Sequence, residues 1–531
     1  MVLGYDRKYI LLQYFCIMID LFIVVTYFIV VILVAISGRQ TKEVTAEEYF
    51  LSSRSLRWPS IAFSTIATNI QGYQFLGMMG SAYLYGLAQA SLEINAIQGI
   101  LLASFIFIPY YLKHKIITIT QFIKKRLGKR IALLYSLANI SLFSTITIGA
   151  ALFWGAYAAD IVFGEYLSIL HQDRLTRITL LILIIGFFSA SYTYFGGLSA
   201  VVRTDIVQFV VLLLGGLAVM LMAVHHLGGW SQLYIKTPQL MHLHLPSNHE
   251  KLPWTHILGL FFLNINYWCA NQSIVQRSLA AKSLKHVQIG LMVGGLMKYL
   301  MAVIIVVPGI ALVGILGDNG LSDPDMTFPY LVNTFLPLGV KGFVLCALFA
   351  SLMSTVDSTF NSLATLWSVD IYREYIHKNS SDQEMVDAGK RAILFSFVTG
   401  VTVGILLLYL KFSDPNAAFT HTLNELRYYI NCGIVVIICS AVFLVAPHHK
   451  VTFLAFVSTI VLQFIFKFLF PEMNYFVRAM WIILIGFFLV LLFSKTRFEN
   501  LWVQFQTDSK QISRMGLGML ISLILLHIFF H

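Results

Sequence analysis

The chain has 531 residues, of which 58% are hydrophobic and only 11% charged, and its mean hydropathy is +0.79. Soluble globular chains carry about 25% charged residues, so this composition excludes a water-soluble protein and requires that most of the surface face lipid. The net charge of +11 would suit a nucleic-acid partner if it were clustered on one face, but it is sorted by loop and so reads as membrane topology.

Apolar stretches predict an all-α integral membrane protein with about fourteen spans: 17–37, 58–85, 86–111, 132–164, 178–197, 205–224, 255–276, 287–316, 339–370, 391–411, 428–446, 451–469, 476–494 and 513–530. Most exceed the ~20 residues needed to cross a ~30 Å hydrocarbon core. The first is too long for the apolar part of a cleaved signal, and no small-x-small cleavage site follows it. Spans 2 and 7 are broken by amides, the first over Ala67–Gln74 and the second over Asn264–Tyr267 within a run that extends to Gln272. Amides at bilayer depth are costly unless they line a cavity or bind something. A pair of interrupted helices in corresponding halves of a chain points to a transporter's binding site.

Alternate loops differ in charge. Those on one side hold 24 Lys/Arg and those on the other 10, with seven between Lys113 and Arg130. The positive-inside rule puts the basic loops in the cytoplasm and both termini outside a multi-pass cell membrane. The five cysteines, Cys16, Cys269, Cys346, Cys432 and Cys439, fall in apolar spans without metal-ligand spacing and read as small hydrophobes. His225, His226, His242, His244 and His249 cluster in one outer loop, as a solvated loop or a metal site. No stretch between spans is long enough for a soluble output domain.

Three motifs narrow the reading. Span 5 ends in Tyr192-Thr193-Tyr194-Phe195-Gly196-Gly197-Leu198-Ser199-Ala200, running on to Thr204-Asp205 and Gln208. The Gly-Gly pair lets a helix end in a tight turn. Asn271-Gln272-Ser273-Ile274-Val275-Gln276-Arg277 follows span 7, and Ser351-Leu352-Met353-Ser354-Thr355-Val356-Asp357-Ser358 lies in span 9, which runs on to Val369-Asp370-Ile371-Tyr372. Together these motifs, in this order, resemble the sodium/solute symporter family, and among its members the bacterial sodium/galactose (sodium/glucose-type) symporters. The resemblance runs from about residue 46 to 380. It implies a LeuT-type core of two inverted five-helix repeats, 58–230 and 231–446, preceded by an extra helix and loop in 1–57 and followed by three helices in 447–531.

The resemblance also implies a sodium site made of the hydroxyls of Ser354 and Thr355 and the backbone carbonyls of Ala67, Ile70 and Ser351. Ser351, Ser354, Thr355 and Ser358 share one helix face, although that spacing alone equally fits small residues that let helices pack closely. Asp357 stands where the galactose-type pattern has a small residue, and is an additional candidate ligand that would bind a second cation, take a proton or pair with a base. Gln74, Glu93, Asn264, Tyr267 and Lys298 match sugar-contacting positions, Tyr267 as the aromatic inner gate, and Asn69 would link cation and substrate. Lys298 lies too deep to snorkel easily, and Glu93 and Lys298 also read as a plain buried ion pair. Two positions depart from the pattern: Ala96 replaces a serine, and Arg427 replaces a glutamine. Arg427 either sits at the outer interface or faces the cavity, where a guanidinium would favour a carboxylate-bearing sugar.

The function expected is secondary active transport, not an enzyme: sodium-coupled symport of a sugar by alternating access. The alternatives are sodium-coupled uptake of an acidic sugar (uronate or sialate) or a polyol and, from another class, a membrane-embedded sensor or transferase. The expected partners are Na⁺, a small solute and the lipid bilayer. No nucleic acid or obligatory protein partner is inferred.

Overall fold

The computed structural model describes residues 3–37, 44–72, 74–337, 339–413, 419–500 and 505–531, with the side chains of 3–17 and 419–424 outside that description. Among the described residues the regular structure is helical, apart from three isolated backbone bridges. Eleven described helices are long and apolar enough to cross a membrane, against the fourteen spans expected. The difference has three physical sources. Spans 5 and 6 join in one helix, Arg174–Leu227, and part of span 2 runs on into span 3 within Gln74–Lys113. Span 7 is broken into His256–Asn264, a wide π-type turn Ile265–Ala270 and Gln272–Leu279, and so contains no long uninterrupted helix.

Arg174–Leu227 is not straight. Its Gly197 adopts φ 53 and ψ −150, a conformation that glycine reaches without strain. The rings of Phe188 and Phe349 both pack on Phe28, while Gly215 lies against Ala347. Residues 188 and 215 would stand ~40 Å apart on a straight helix, so the two arms fold back side by side against one stretch of Val340–Ile376. That helix is the molecule's axis: its apolar core is almost wholly buried, whereas peripheral helices turn Phe22, Phe187, Phe395 and Phe468 outward, as a lipid-facing surface does.

Both interrupted spans contain one extended residue of nearly the same geometry, Ile70 (φ −80, ψ 111) and Asn271 (φ −86, ψ 115). The second corrects the expected position of the break. Asn264 through Tyr267 remain helical or in the wide turn, and the chain straightens only at Asn271, whose side chain caps the next helix by accepting from Ser273 N at 3.0 Å. Around each extended residue, carbonyls lose their partners in the helix and must find others.

A methyl group on Gly197 would lie 2.4 Å from Tyr49 O and 2.9 Å from its ring. Gly197→Ala therefore costs ~1–3 kcal/mol through strain at the turn and lowers the thermal unfolding midpoint in detergent. Gly518→Ala, where an added methyl meets nothing within 4 Å, leaves it unchanged; equal midpoints for the two variants would rule out the turn as the point of strain.

Candidate functional site

The first break lies against the axial helix. Helix Trp58–Asn69 ends as Ile70 turns to extended backbone, and three hydroxyls of the axial helix take up the freed carbonyls. Ser354 Oγ donates to Ala67 O at 2.8 Å, Thr355 Oγ1 to Thr68 O at 3.2 Å and Ser351 Oγ to Ile70 O at 2.8 Å. Ser351 O lies 3.1 Å from Ser354 Oγ and 3.2 Å from Thr355 Oγ1. Of the five oxygens expected to bind a cation, Ala67 O, Ser351 O, Ser354 Oγ and Thr355 Oγ1 are linked in one buried cluster with Thr68 O, which was not expected, while Ile70 O is reached through Ser351 Oγ. An all-oxygen set without charge suits a hard, weakly charged cation. Among the described residues no group of three or more His, Cys, Asp or Glu is arranged to hold a metal.

A buried polar wall of side chains begins beside that cluster. Asn69 sits between the Thr68 and Ile70 carbonyls and accepts through Oδ1 from Lys298 Nζ. The same ammonium is paired with Glu93 Oε2, and the other oxygen, Glu93 Oε1, accepts from Gln74 Nε2 at 2.8 Å. Gln74 Oε1 in turn accepts from Gln71 N at 2.9 Å. The ion pair is buried on both sides, with side chains 2% and 6% exposed, and its amide neighbours satisfy the remaining lone pairs, which such a pair requires. Asn264 joins one step away: its Nδ2 donates to Asn95 O at 2.9 Å. Tyr267 is half-buried in the wide turn beside Trp268, Ala96 is buried next to Asn95, and Arg427 is half-buried on helix Phe419–Phe443.

Two groups of residues were not singled out from sequence. Arg277, named there only as the end of the motif that follows span 7, is 1% exposed and lies in the last turn of Gln272–Leu279. Its guanidinium donates to Ser64 Oγ (2.5 Å), Thr68 Oγ1 (2.6 Å), Asp205 Oδ2 (3.0 Å) and Ser358 Oγ. Asp357 lies on the far side of Ser358, which donates to its Oδ1 at 3.1 Å, and Tyr192 donates to its Oδ2. The apolar context hid the second group. Tyr111 donates to Cys269 O at 2.9 Å and Tyr135 to Ala270 O, so phenols do at the second break what short hydroxyls do at the first. Cys269, Cys346, Cys432 and Cys439 are buried and free; the side chain of Cys16 lies outside the described residues.

A model of the sodium:solute symporter family matches residues 49–450. A sodium/glucose cotransporter of Vibrio parahaemolyticus is 33% identical over 420 residues, covering 73% of this chain and 75% of that protein. Sodium/glucose cotransporter 1 of Ovis aries is 32% identical over 416 residues, 71% of this chain, and the chain spans only 61% of that longer relative. The structure of a Na⁺-coupled sialic acid symporter in a substrate-bound, outward-open state superposes with a TM-score of 0.77 at 19% identity, covering 90% of this chain and 98% of that one. That likeness shows the fold, an all-helical core of the LeuT type. With the family matched across most of the chain and through both broken helices, this multi-pass membrane protein belongs to the sodium:solute symporter family and is a transporter, not an enzyme.

Proposed function

We propose that the protein couples the entry of Na⁺ to that of a sugar by alternating access. The observation that carries this reading is the position of Asn69. It accepts from Lys298 of the polar wall, while the carbonyls on either side of it belong to the oxygen cluster. One short unwound segment thus takes part in both sites. Na⁺ on Ala67 O, Ile70 O, Ser351 O, Ser354 Oγ and Thr355 Oγ1 orders that segment and with it the wall of Gln74, Glu93, Lys298 and Asn69. Sugar hydroxyls then exchange hydrogen bonds with those amides and charges, and with Asn264, while Tyr267 covers a ring face and moves aside for release. Each Na⁺ gains ~2.3 kcal/mol per 100 mV of inside-negative potential. The names of the sodium/glucose cotransporters among its relatives support a sugar as cargo.

The repeats are proposed as 58–230 and 231–446, flanked by 1–57 and 447–531, and the matching extended residues Ile70 and Asn271 support that division. Both termini are proposed to lie outside the cell membrane. Removing the buried Arg277 from the 24 cations of the basic side leaves 23 against 10, and the bias remains.

Asp357 adds a charge that the rest of the network does not balance. Asp205 and Asp357 share one guanidinium, Arg277, through Ser358 and its neighbours, so with both carboxylates ionised the formal sum is one negative charge. Buried charge must be compensated. A proton or a second Na⁺ at Asp357 supplies the compensation, which makes this residue a determinant of ion coupling.

Proteoliposomes under an imposed Na⁺ gradient test the central claim. Uptake of a neutral hexose is stimulated by Na⁺, and Ser354→Ala raises the half-saturating Na⁺ concentration by about tenfold, the equivalent of ~1.4 kcal/mol, with a smaller change for sugar. Failure of every neutral and acidic monosaccharide to show Na⁺-stimulated uptake would sink the claim. In the same assay a wild-type preference for an acidic sugar that Arg427→Gln abolishes would assign the cavity to the acid instead. Asp357→Asn is expected to change the Na⁺ cooperativity or the pH dependence of uptake; if both stay as in wild type, Asp357 has no part in coupling.

A further inference from the structure

The C-terminal helix Lys510–Phe529 lies beyond the stretch that the family shares, yet its last turn reaches the polar wall. His527 Nε2 is 3.2 Å from Asn95 Oδ1, and His527 Nδ1 is 3.0 Å from His244 Nε2, with the two rings stacked at 5.1 Å. The backbone doubles the clasp, since Leu243 N donates to Phe530 O at 2.6 Å and His242 Nδ1 lies 2.8 Å from His531 O. Asn95 is fully buried at the joint between the short helix Ser91–Ile94 and Ala96–Leu102, two residues after Glu93. Its carbonyl accepts from Asn264, and Ser91, whose carbonyl it binds at 2.8 Å, lies 2.8 Å from His256 Nε2.

The hydrogen positions follow from these contacts. Asn95 Nδ2 donates to Ser91 O, and Asn95 Oδ1 accepts from Gln98 Nε2 at 2.9 Å, so Oδ1 faces His527 and can only accept. His527 therefore carries its proton on Nε2, Nδ1 is its acceptor, and His244 donates to it through Nε2. We propose that His527 is a positioning residue for the solute site: in its neutral form it holds Asn95, and through Asn95 both Asn264 and the turn that carries Glu93, in register.

A second proton on His527 would remove the acceptor to which His244 donates, so that the contact survives only if His244 shifts its own proton to Nδ1. It would also place a cation beside His244, which itself lies against His531, and near His256 at the opening of His256–Asn264. No described ion pair brings a carboxylate to His527, and Glu93 is committed to Lys298. Burial and the neighbouring His531 already hold the His244 imidazole below the usual histidine range. The contact therefore loosens only when the pH on that face falls below the range in which histidines ordinarily titrate.

The test uses the full chain in proteoliposomes and rests on the sugar reading above. Wild-type half-saturation for sugar is constant from about pH 7.5 to about 6 and rises as the pH on the His527 face falls toward about 4. His527→Phe keeps ring volume but no hydrogen bond; it raises half-saturation on the order of fivefold at neutral pH, flattens the pH profile and leaves the half-saturating Na⁺ concentration unchanged. His527→Gln retains a donor for Asn95 and restores sugar affinity without the pH dependence. A wild-type pH profile in both variants overturns the proposal. Hydrogen exchange over residues 91–99 is read on the same samples: faster exchange in His527→Phe supports the proposal and unchanged exchange overturns it. That second readout decides the matter even if no sugar is taken up and the proposed function itself fails.

Discussion

A peptide carbonyl released from its helix at bilayer depth has no water to turn to, and the protein is organised around satisfying two sets of them. At the first break the partners are Ser351, Ser354 and Thr355, short side chains whose oxygens can equally donate to a carbonyl or bind a cation. At the second they are Tyr111 and Tyr135, which fill the gap with whole aromatic rings and leave no comparable cluster of small oxygens. The same structural problem thus has an ion-exchangeable solution in one half and a permanent one in the other. Among the described residues, the first break is the one whose small oxygens fit the cation site proposed above.

Charge is handled in a parallel way. The Glu93–Lys298 pair is balanced and flanked by amides, an arrangement that fits the proposed exchange of hydrogen bonds with a sugar. The Asp205–Arg277–Asp357 network carries an excess carboxylate, and it shares Thr68 and Ser358 with the surroundings of the oxygen cluster. Burying ions in either place contributes little to stability on its own. What the pairs supply is a fixed arrangement in which neutral and charged chemistry stand a few residues apart.

Much of this was legible in the residues, and the exceptions are instructive. The amides of spans 2 and 7 announced cavities because their cost in lipid leaves few other readings, and the hydroxyl face of Ser351–Ser358 appears at helical spacing. The Gly196-Gly197 pair marked the hairpin. The extended residue of span 7 was misplaced because amides report polarity, while the straightened backbone sits at Asn271, whose side chain is used as a helix cap. Arg277 looked like a loop cation because it follows an apolar run; only the tertiary approach of Asp205 and Ser64 shows it to be interior. For Tyr111, Tyr135 and Asn95 nothing local in the sequence separates a polar atom that closes a distant carbonyl from one that fills space.

Gly99 links the two halves of the cavity. A methyl there would lie 2.8 Å from Asn264 O and 2.6 Å from the Trp268 ring, so span 3 packs closely on the backbone and the Trp268 ring of the second broken helix. Elements in such contact resist sliding and turn as one piece. Glu93 and Asn264, on either side of that contact, should therefore travel together. On the alternating-access reading proposed above, this paired unit is the piece that moves relative to the axial helix Val340–Ile376.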